Sequence, residues 1–391
     1  MEKMTPQKLV DQILEAAERE RASDVHIEPG KDDVIIKFRI DGILREVKRF
    51  KIHMLENLVS HLKVLGQLDI TIHSTPQEGS FEWLGKIKDE NDQMRFLSIR
   101  VSIFPTINGE AIVLRILNRS ELLMSVSQLG FDKHDEQLIN KLIISPYGMI
   151  LASGPANSGK TTLLYSMLKE IAAPEKNIVA LEDPVEYNLE FVRQSQINPA
   201  RNFTYEAGLR SILRQDPDVI MIGEIRDRQT AENAIHISLT GRLLLTTIHA
   251  NNSVGTVARL LDIKVSPPLI AYSVNGIIAQ RLARRICNNC KITHPPESGK
   301  LEMLGIRPNS MPFFKGKGCD ECLNTGYYGR VGIFEILVID DEFRKTIVGH
   351  ESIEELITLA EKKGLKTLRQ DGIQKMKDGI TTIEEVLRLG I

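Results

Sequence analysis

Hydrophobic residues recur along this chain in two alternating rhythms, and the changes between them divide it. Thr5-Pro6 reads as a helix cap and first helical position, and Leu9, Val10, Ile13, Leu14 and Ala17 then repeat at helical spacing up to Arg21. Beyond Ser23 to Pro29, Val34 to Ile40 predicts a strand ending on the hairpin signal Asp41-Gly42, and Leu55 to Leu65 predicts a second helix. From Gly79 to Leu117 the period becomes two. Leu97, Ile99, Val101 and Ile103 share one face, with Ser98, Arg100 and Ser102 on the other; an Asn108-Gly109 turn leads into a strand, Ala111 to Leu117, that carries Arg115. These elements predict a small α+β domain over residues 1–117.

Residues 118–131, polar with scattered leucines, read as a linker. Short apolar runs follow at Met149 to Ala152, Ile178 to Leu181, Val219 to Ile222 and Leu243 to Ile248, separated by stretches able to hold helices. That rhythm predicts an α/β domain over residues 132–391, with a parallel sheet wound by helices. From about Ser266 the pattern reads as more helical, and Glu351 to Glu361 and Ile383 to Leu389 are expected to pack onto this core as helices.

A length of 391 residues agrees with two or three domains. The composition, 42% hydrophobic and 26% charged, is that of a globular protein, and a formal net charge of -2 gives no general attraction to nucleic acid or anionic membrane. No apolar run has the length of a signal-peptide core or a membrane span, so a cytosolic location is expected.

Chemistry enters at MILASGPANSGKTTLLY, Met149 to Tyr165, where Gly154, Gly159, Lys160 and Thr161 complete G-x-x-x-x-G-K-[ST] between a strand and a helix. In such a loop the glycines let successive N–H groups face the β-phosphate, and the helix adds its positive end. Lys160 is expected to bridge the β- and γ-phosphates of ATP and Thr161 to hold Mg²⁺, with Ser158 and Thr162 completing the nucleotide-binding set.

Acids close the strands beside that loop. Glu182 and Asp183 follow Ile178 to Leu181 and so lie at the carboxyl edge of the sheet, where ligands bind in wound α/β folds, the alternative being a charged turn closed by Pro184. Glu224 follows Val219 to Gly223 in a segment resembling a Walker B strand, with Gly223 where many such ATPases carry a metal-holding aspartate. It is the first candidate to polarise the attacking water, the alternative being a helix-capping acid. His249 ends Leu243 to Ile248, either as a γ-phosphate sensor or as a polar terminus. Arg100 and Arg115 would supply positive charge to the γ-phosphate only if domains or subunits close over the nucleotide; otherwise they face solvent.

Four cysteines form two C-x-x-C pairs, Cys287/Cys290 and Cys319/Cys322, which read as two knuckles around one zinc ion, the alternatives being redox pairs or unrelated thiols. Four thiolates leave no open position, so such a site is structural. Arg281, Arg284 and Arg285 just before it, interleaved with Leu282 and Ile286, read as a solvated helix face or a contact to acidic lipid or a partner.

Taken together, SDVHIEP (Ser23 to Pro29), RIDG (Arg39 to Gly42), the phosphate loop, LEDPVEY (Leu181 to Tyr187), LRQDPDVIMIGEIRD (Leu213 to Asp227) and TGRLLLTTIHA (Thr240 to Ala250) resemble the secretion ATPase superfamily. These are the hexameric motors of type II secretion, type IV pilus assembly and DNA-uptake competence. The resemblance implies a RecA-like motor domain preceded by a smaller, PAS-like α+β domain on a flexible linker. It identifies Glu182 and Asp183 with an aspartate box, Glu224 with the Walker B glutamate and His249 with the second histidine of a histidine box. Arg100 and Arg115 match arginines that reach the nucleotide when domains close.

The same resemblance implies a homo-hexamer acting through an inner-membrane platform protein, peripheral to the inner face of the membrane, without specific nucleic-acid binding. Its tetracysteine segment favours assembly over retraction. A retraction or DNA-translocating motor, or a nucleotide-gated scaffold with little turnover, are the competing readings. Three positions depart from the pattern: Ala156 and Asn157 within the loop, and Arg242 in place of the first histidine of the histidine box. The start so close to SDVHIEP also suggests a compact competence-type or Gram-positive-type system.

Overall fold

The computed structural model describes residues 5–88, 94–117, 124–295, 298–307, 312–349 and 352–391. The chain divides into two compact units, Met1–Leu122 and Leu123–Ile391. In the first, helix α1 (Pro6–Arg19) is followed by strands β1 (Ala22–Pro29), β2 (Asp33–Ile40) and β3 (Ile43–Lys51), helix α2 (Leu55–Leu65), and strands β4 (Gln77–Lys88), β5 (Met94–Thr106) and β6 (Gly109–Leu117). The strands form one antiparallel sheet in the order β3-β2-β1-β6-β5-β4.

Local chemistry explains these elements. Thr5 caps α1 by accepting the amide of Lys8, Pro6 fills its first turn, and its apolar stripe is buried. Asp41 and Gly42 both adopt positive φ, 49° and 85°, as a two-residue hairpin between β2 and β3 requires. The β5–β6 hairpin turns on Ile107-Asn108, one residue before the expected Asn108-Gly109, with Gly109 pairing back to Thr106. Leu97, Ile99, Val101 and Ile103 are buried with the inner faces of α1 and α2.

The second unit runs through α3 (Lys133–Ile143), β7 (Gly148–Ser153), α4 (Lys160–Ile171), β8 (Ile178–Glu182), β9 (Arg193–Gln196), α5 (Tyr205–Ile212), β10 (Val219–Ile222), α6 (Arg228–Ser238), β11 (Leu243–Ile248), α7 (Ser253–Asp262) and α8 (Pro267–Ser273). It continues through β12 (Val274–Ile286), β13 (Lys291–Thr293), α9 (Ser298–Met303), β14 (Phe314–Gly316) and β15 (Tyr327–Val338) to four helices, α10 (Asp341–Val348), α11 (Ile353–Lys362), α12 (Leu368–Lys377) and α13 (Ile383–Arg388). A seven-stranded sheet has the order β15-β12-β7-β11-β10-β8-β9, parallel throughout except for β15. Each of β7, β8, β10 and β11 is buried along its whole length, the signature of a sheet covered on both faces.

Two expectations change here. Residues 118–123 of the expected linker lie outside the described residues, while Val126, Leu129 and Phe131 are buried and Phe131 stacks on Phe334 at 3.7 Å between ring centroids, so residues 126–131 pack into the second unit. The more helical reading beyond Ser266 gives way to two long strands, β12 and β15. Arg281 and Arg284 stand on β12 rather than on a solvated helix: Arg281 donates to the Asn251 carbonyl at 2.7 Å, and Arg284 pairs with the fully buried Glu385 at 2.7 Å. Basic side chains hydrogen-bonded inside the fold had imitated a surface stripe.

Candidate active site

The phosphate loop joins β7 to α4. Gly154 and Gly159 have φ of 152° and 88°, and Asn157 has φ of 60°, a left-handed conformation that asparagine tolerates better than most residues. The loop curls against Gln280 of β12. A Cβ on Gly154 would lie 2.5 Å from the Gln280 carbonyl oxygen, and one on Gly159 would lie 2.8 Å from Gln280 Nε2. Neither position accepts a side chain. Ser158 Oγ and Gln280 Oε1 are buried there without hydrogen-bond partners among the described residues; the serine hydroxyl can donate to a phosphate oxygen, whereas the Gln280 amide oxygen only accepts.

Lys160 donates to the carbonyls of Gly154 and Pro155, both at 2.8 Å, and thus folds over its own loop. Burial is the main cause of a pKa lowered to about 8; Glu224 opposes the shift and Arg281 adds to it. Thr161 and Thr162 occupy the first turn of α4, where the orphan N–H groups and the positive end of the helix dipole also lie. These donors fit a triphosphate, and the Thr161 hydroxyl fits one ligand of its Mg²⁺.

Glu224 follows β10 and His249 follows β11, so the parallel register brings them to one end of the sheet, with His249 Nε2 3.7 Å from Glu224 Oε2. Arg226 pairs with the other Glu224 oxygen and lies 3.4 Å from Asp183 Oδ2. Asp183, Glu224, Arg226 and His249 therefore form one charged cluster at the edge that holds Lys160. Sequence reasoning did not single out Arg226, although its position two residues after Glu224 was a usable signal.

Glu182 takes a different place. Its carboxylate is buried, accepting from Tyr165 Oη and from Gln194 Nε2 at 2.9 Å, and burial raises its pKa. The last residue of a strand points opposite to its successor, so Asp183 reaches the cluster while Glu182 turns into the core. Arg242 precedes β11 as His249 follows it, which puts their backbones about 20 Å apart along the strand. The departure from the histidine box thus lies at the far end from Lys160.

In the first unit, Arg100 and Arg115 are cross-strand partners on β5 and β6. Arg115 Nε donates to Asp24 Oδ1 at 3.0 Å, and Arg39 Nε lies 3.6 Å from Asp24 Oδ2. SDVHIEP and RIDG thereby meet in one polar row that holds Arg115 in place.

Beyond β12, Cys287, Cys290, Cys319 and Cys322 bring their sulfurs within 4.8 Å of one another. The Cys287–Cys319 and Cys290–Cys322 separations are 3.8 Å and the Cys319–Cys322 separation is 3.6 Å. Four sulfurs about 2.3 Å from a tetrahedral zinc ion stand about 3.8 Å apart, whereas a disulfide needs about 2.05 Å. Burial pushes the Cys287 thiol up to about 12. Burial acts the same way on Cys322, but amide donors from Cys319 and Gly326 outweigh it and bring that thiol down to about 6. The donor set and its edge lengths fit a closed thiolate metal site.

A family model described as type II/IV secretion system protein matches residues 2–388. The type II secretion system protein E of Pseudomonas aeruginosa is 41% identical over 384 residues, covering 98% of this chain and 75% of that protein. The type IV pilus assembly ATPase PilB of Thermus thermophilus is 40% identical over 390 residues, covering 99% of this chain but only 43% of that protein. Among solved structures, the ATPase DotB of Legionella pneumophila superposes with a TM-score of 0.72 at 20% identity, covering 100% of this chain and 96% of DotB. The pilus retraction motor PilT with bound ADP superposes with a TM-score of 0.64 at 23% identity, covering 97% of this chain and 96% of PilT. At these identities the two structures speak to the fold, a RecA-like motor unit after a smaller α+β unit.

Proposed function

The chain belongs to the type II/IV secretion system protein family and is an ATPase, and from that premise we propose that it hydrolyses MgATP in a hexameric ring to drive assembly of a pilus or pseudopilus through an inner-membrane platform protein. The observation that carries this reading is the convergence of Lys160, Glu224 and His249 beyond the carboxyl ends of β7, β10 and β11, which are neighbours in the parallel sheet in the order β7-β11-β10.

In this reading the loop amides and Lys160 bind the β- and γ-phosphates, and Lys160 gives up its carbonyl partners to do so. Thr161 would hold magnesium, which would supply positive charge to the same phosphates. Glu224 accepts the proton of the attacking water, and His249 and Arg226 fix the carboxylate in position. Asp183 sets the place of Arg226. Arg100 and Arg115 supply positive charge from a first unit closing over the nucleotide, of the same or a neighbouring subunit. Work then comes from the different affinities of open and closed arrangements for ATP and ADP. The four cysteines hold zinc as a structural staple, and by resemblance that module favours assembly over retraction. No described helix is long and apolar enough to cross a membrane; by the family resemblance the ring acts peripherally at the inner face of the cytoplasmic membrane.

The test is a steady-state ATPase assay on rings whose mass has been measured under native conditions with and without nucleotide. Turnover by the ring and its loss in Glu224→Gln are expected. Nucleotide binding without turnover would instead leave a nucleotide-gated scaffold, and strong stimulation by DNA would point to a translocating motor.

A further inference from the structure

Gly223 immediately precedes Glu224, at the position where many ATPases with a Walker B strand place an acidic group for the metal, and the neighbouring fold fills that place with a hydroxyl. Tyr205, the first residue of α5, projects its Oη against the Gly223 backbone, where a Cβ on Gly223 would stand 2.9 Å from it. That oxygen is buried and has no hydrogen-bond partner among the described residues. An unpaired buried hydroxyl is costly to keep unless a ligand supplies its partner. After burial, the strongest influences on it are the carboxylates of Asp183 and Glu224, followed by the Arg226 guanidinium that joins them.

Resting on the ATPase reading, the geometry points to Tyr205 as a positioning residue that stands in for the missing acid at Gly223, its hydroxyl accepting from a water of the magnesium shell while donating to Asp183 or Glu224. A phenol suits this position because it is donor and acceptor at once. It adds a polar contact without a third negative charge beside Asp183 and Glu224. A side chain at Gly223 would have to displace the Tyr205 oxygen, which stands 2.9 Å from the place of its Cβ.

The experiment measures equilibrium binding of a fluorescent, non-hydrolysable ATP analogue to the full chain across a magnesium titration. Tyr205→Phe removes one atom and keeps the ring. It is expected to raise the magnesium concentration for half-maximal tightening by about three- to tenfold, the range of one hydrogen bond, with magnesium-free binding unchanged. In the double variant Tyr205→Ala/Gly223→Asp the space left by the phenol admits the carboxylate, and the magnesium response recovers. Gly223→Asp alone, crowded against the tyrosine oxygen, loses nucleotide affinity. An unchanged titration in Tyr205→Phe, or no recovery in the double variant, overturns the proposal. If the parent chain shows no magnesium-dependent nucleotide binding at all, the ATPase reading itself falls.

Discussion

His249 Nε2 lies 3.7 Å from Glu224 Oε2, although 25 residues separate them in the chain (249 minus 224). The pairing follows from parallel register: β10 and β11 run side by side from Val219↔Leu243 to Ile222↔Thr246, so the residues that follow each strand emerge at one edge. Because Arg226 holds the other oxygen of Glu224, the carboxylate is fixed from two sides. Glu224→Gln keeps the shape and removes the basicity. Turnover is expected to fall by about a hundredfold or more, as for loss of a general base, while ATP affinity stays within about twofold. Single-turnover and equilibrium binding measurements separate the two, and a variant with parental turnover sinks the assignment.

Lys160 carries a pH dependence that can be worked out in sign. Burial lowers its pKa to about 8. Below that value the ammonium is already charged and nucleotide binding owes no proton uptake to it. Above that value the side chain is largely neutral, and a bound polyphosphate restores the charged form, so binding takes up a proton and weakens as pH rises. Calorimetry at about pH 9 in buffers of different ionisation enthalpy should detect close to one proton taken up per nucleotide by the parent, and none by Lys160→Met at any affinity high enough to measure. Equal uptake in both proteins would assign the proton elsewhere.

Metal removal offers a third check. The sulfur edges of 3.6 to 3.8 Å predict one zinc ion per chain. Cys287 directly follows β12, which pairs with the phosphate-loop strand through Ala279↔Ser153. Loss of the staple therefore frays the far end of β12 before it reaches the nucleotide. Cys290→Ser/Cys322→Ser should abolish zinc in elemental analysis and lower the melting temperature by about 5 °C or more, equivalent to roughly 2 kcal/mol for a unit of this size. A chain that melts unchanged without metal would deny the cysteines a stabilising role.

Much of this was legible before any coordinates, and the exceptions share a cause. The helix expected over Leu55 to Leu65 has those bounds in α2, and the runs Val219 to Ile222 and Leu243 to Ile248 are β10 and β11 to the residue. Such elements bury apolar side chains with a clean period, and period is what a sequence displays. β12 hid because it buries charge. Arg281 and Arg284 break its apolar run, and the groups that accept from them, the Asn251 carbonyl and the Glu385 carboxylate, are 30 and 101 positions away. The same limit applies at the site. Its motif residues announced themselves, but Gln280 behind the phosphate loop and Tyr165 on Glu182 touch them only through the fold.

Glu385 gives the sharpest stability prediction of that hidden layer. It is fully buried on α13 and accepts from Arg284 Nη2 at 2.7 Å, the Arg284 amide at 2.9 Å and Arg388 Nη2 at 2.8 Å. Burial works to raise its pKa, but the donors from Arg388 and Arg284 outweigh it and hold the carboxyl below its ordinary value. A carboxylate depressed in the folded state contributes stability that is present in full above its unfolded pKa, near 4.5, and is lost as pH falls through the lower folded value. Glu385→Ala leaves the Arg284 guanidinium, 16% exposed, without its buried partner. The expected cost is about 3 to 5 kcal/mol at neutral pH, read as a lower denaturant midpoint. The parent should lose part of its stability below about pH 4.5, and the variant less, because this group has already been removed. Parallel acid profiles for parent and variant would mean that Glu385 is not what ties α13 to β12.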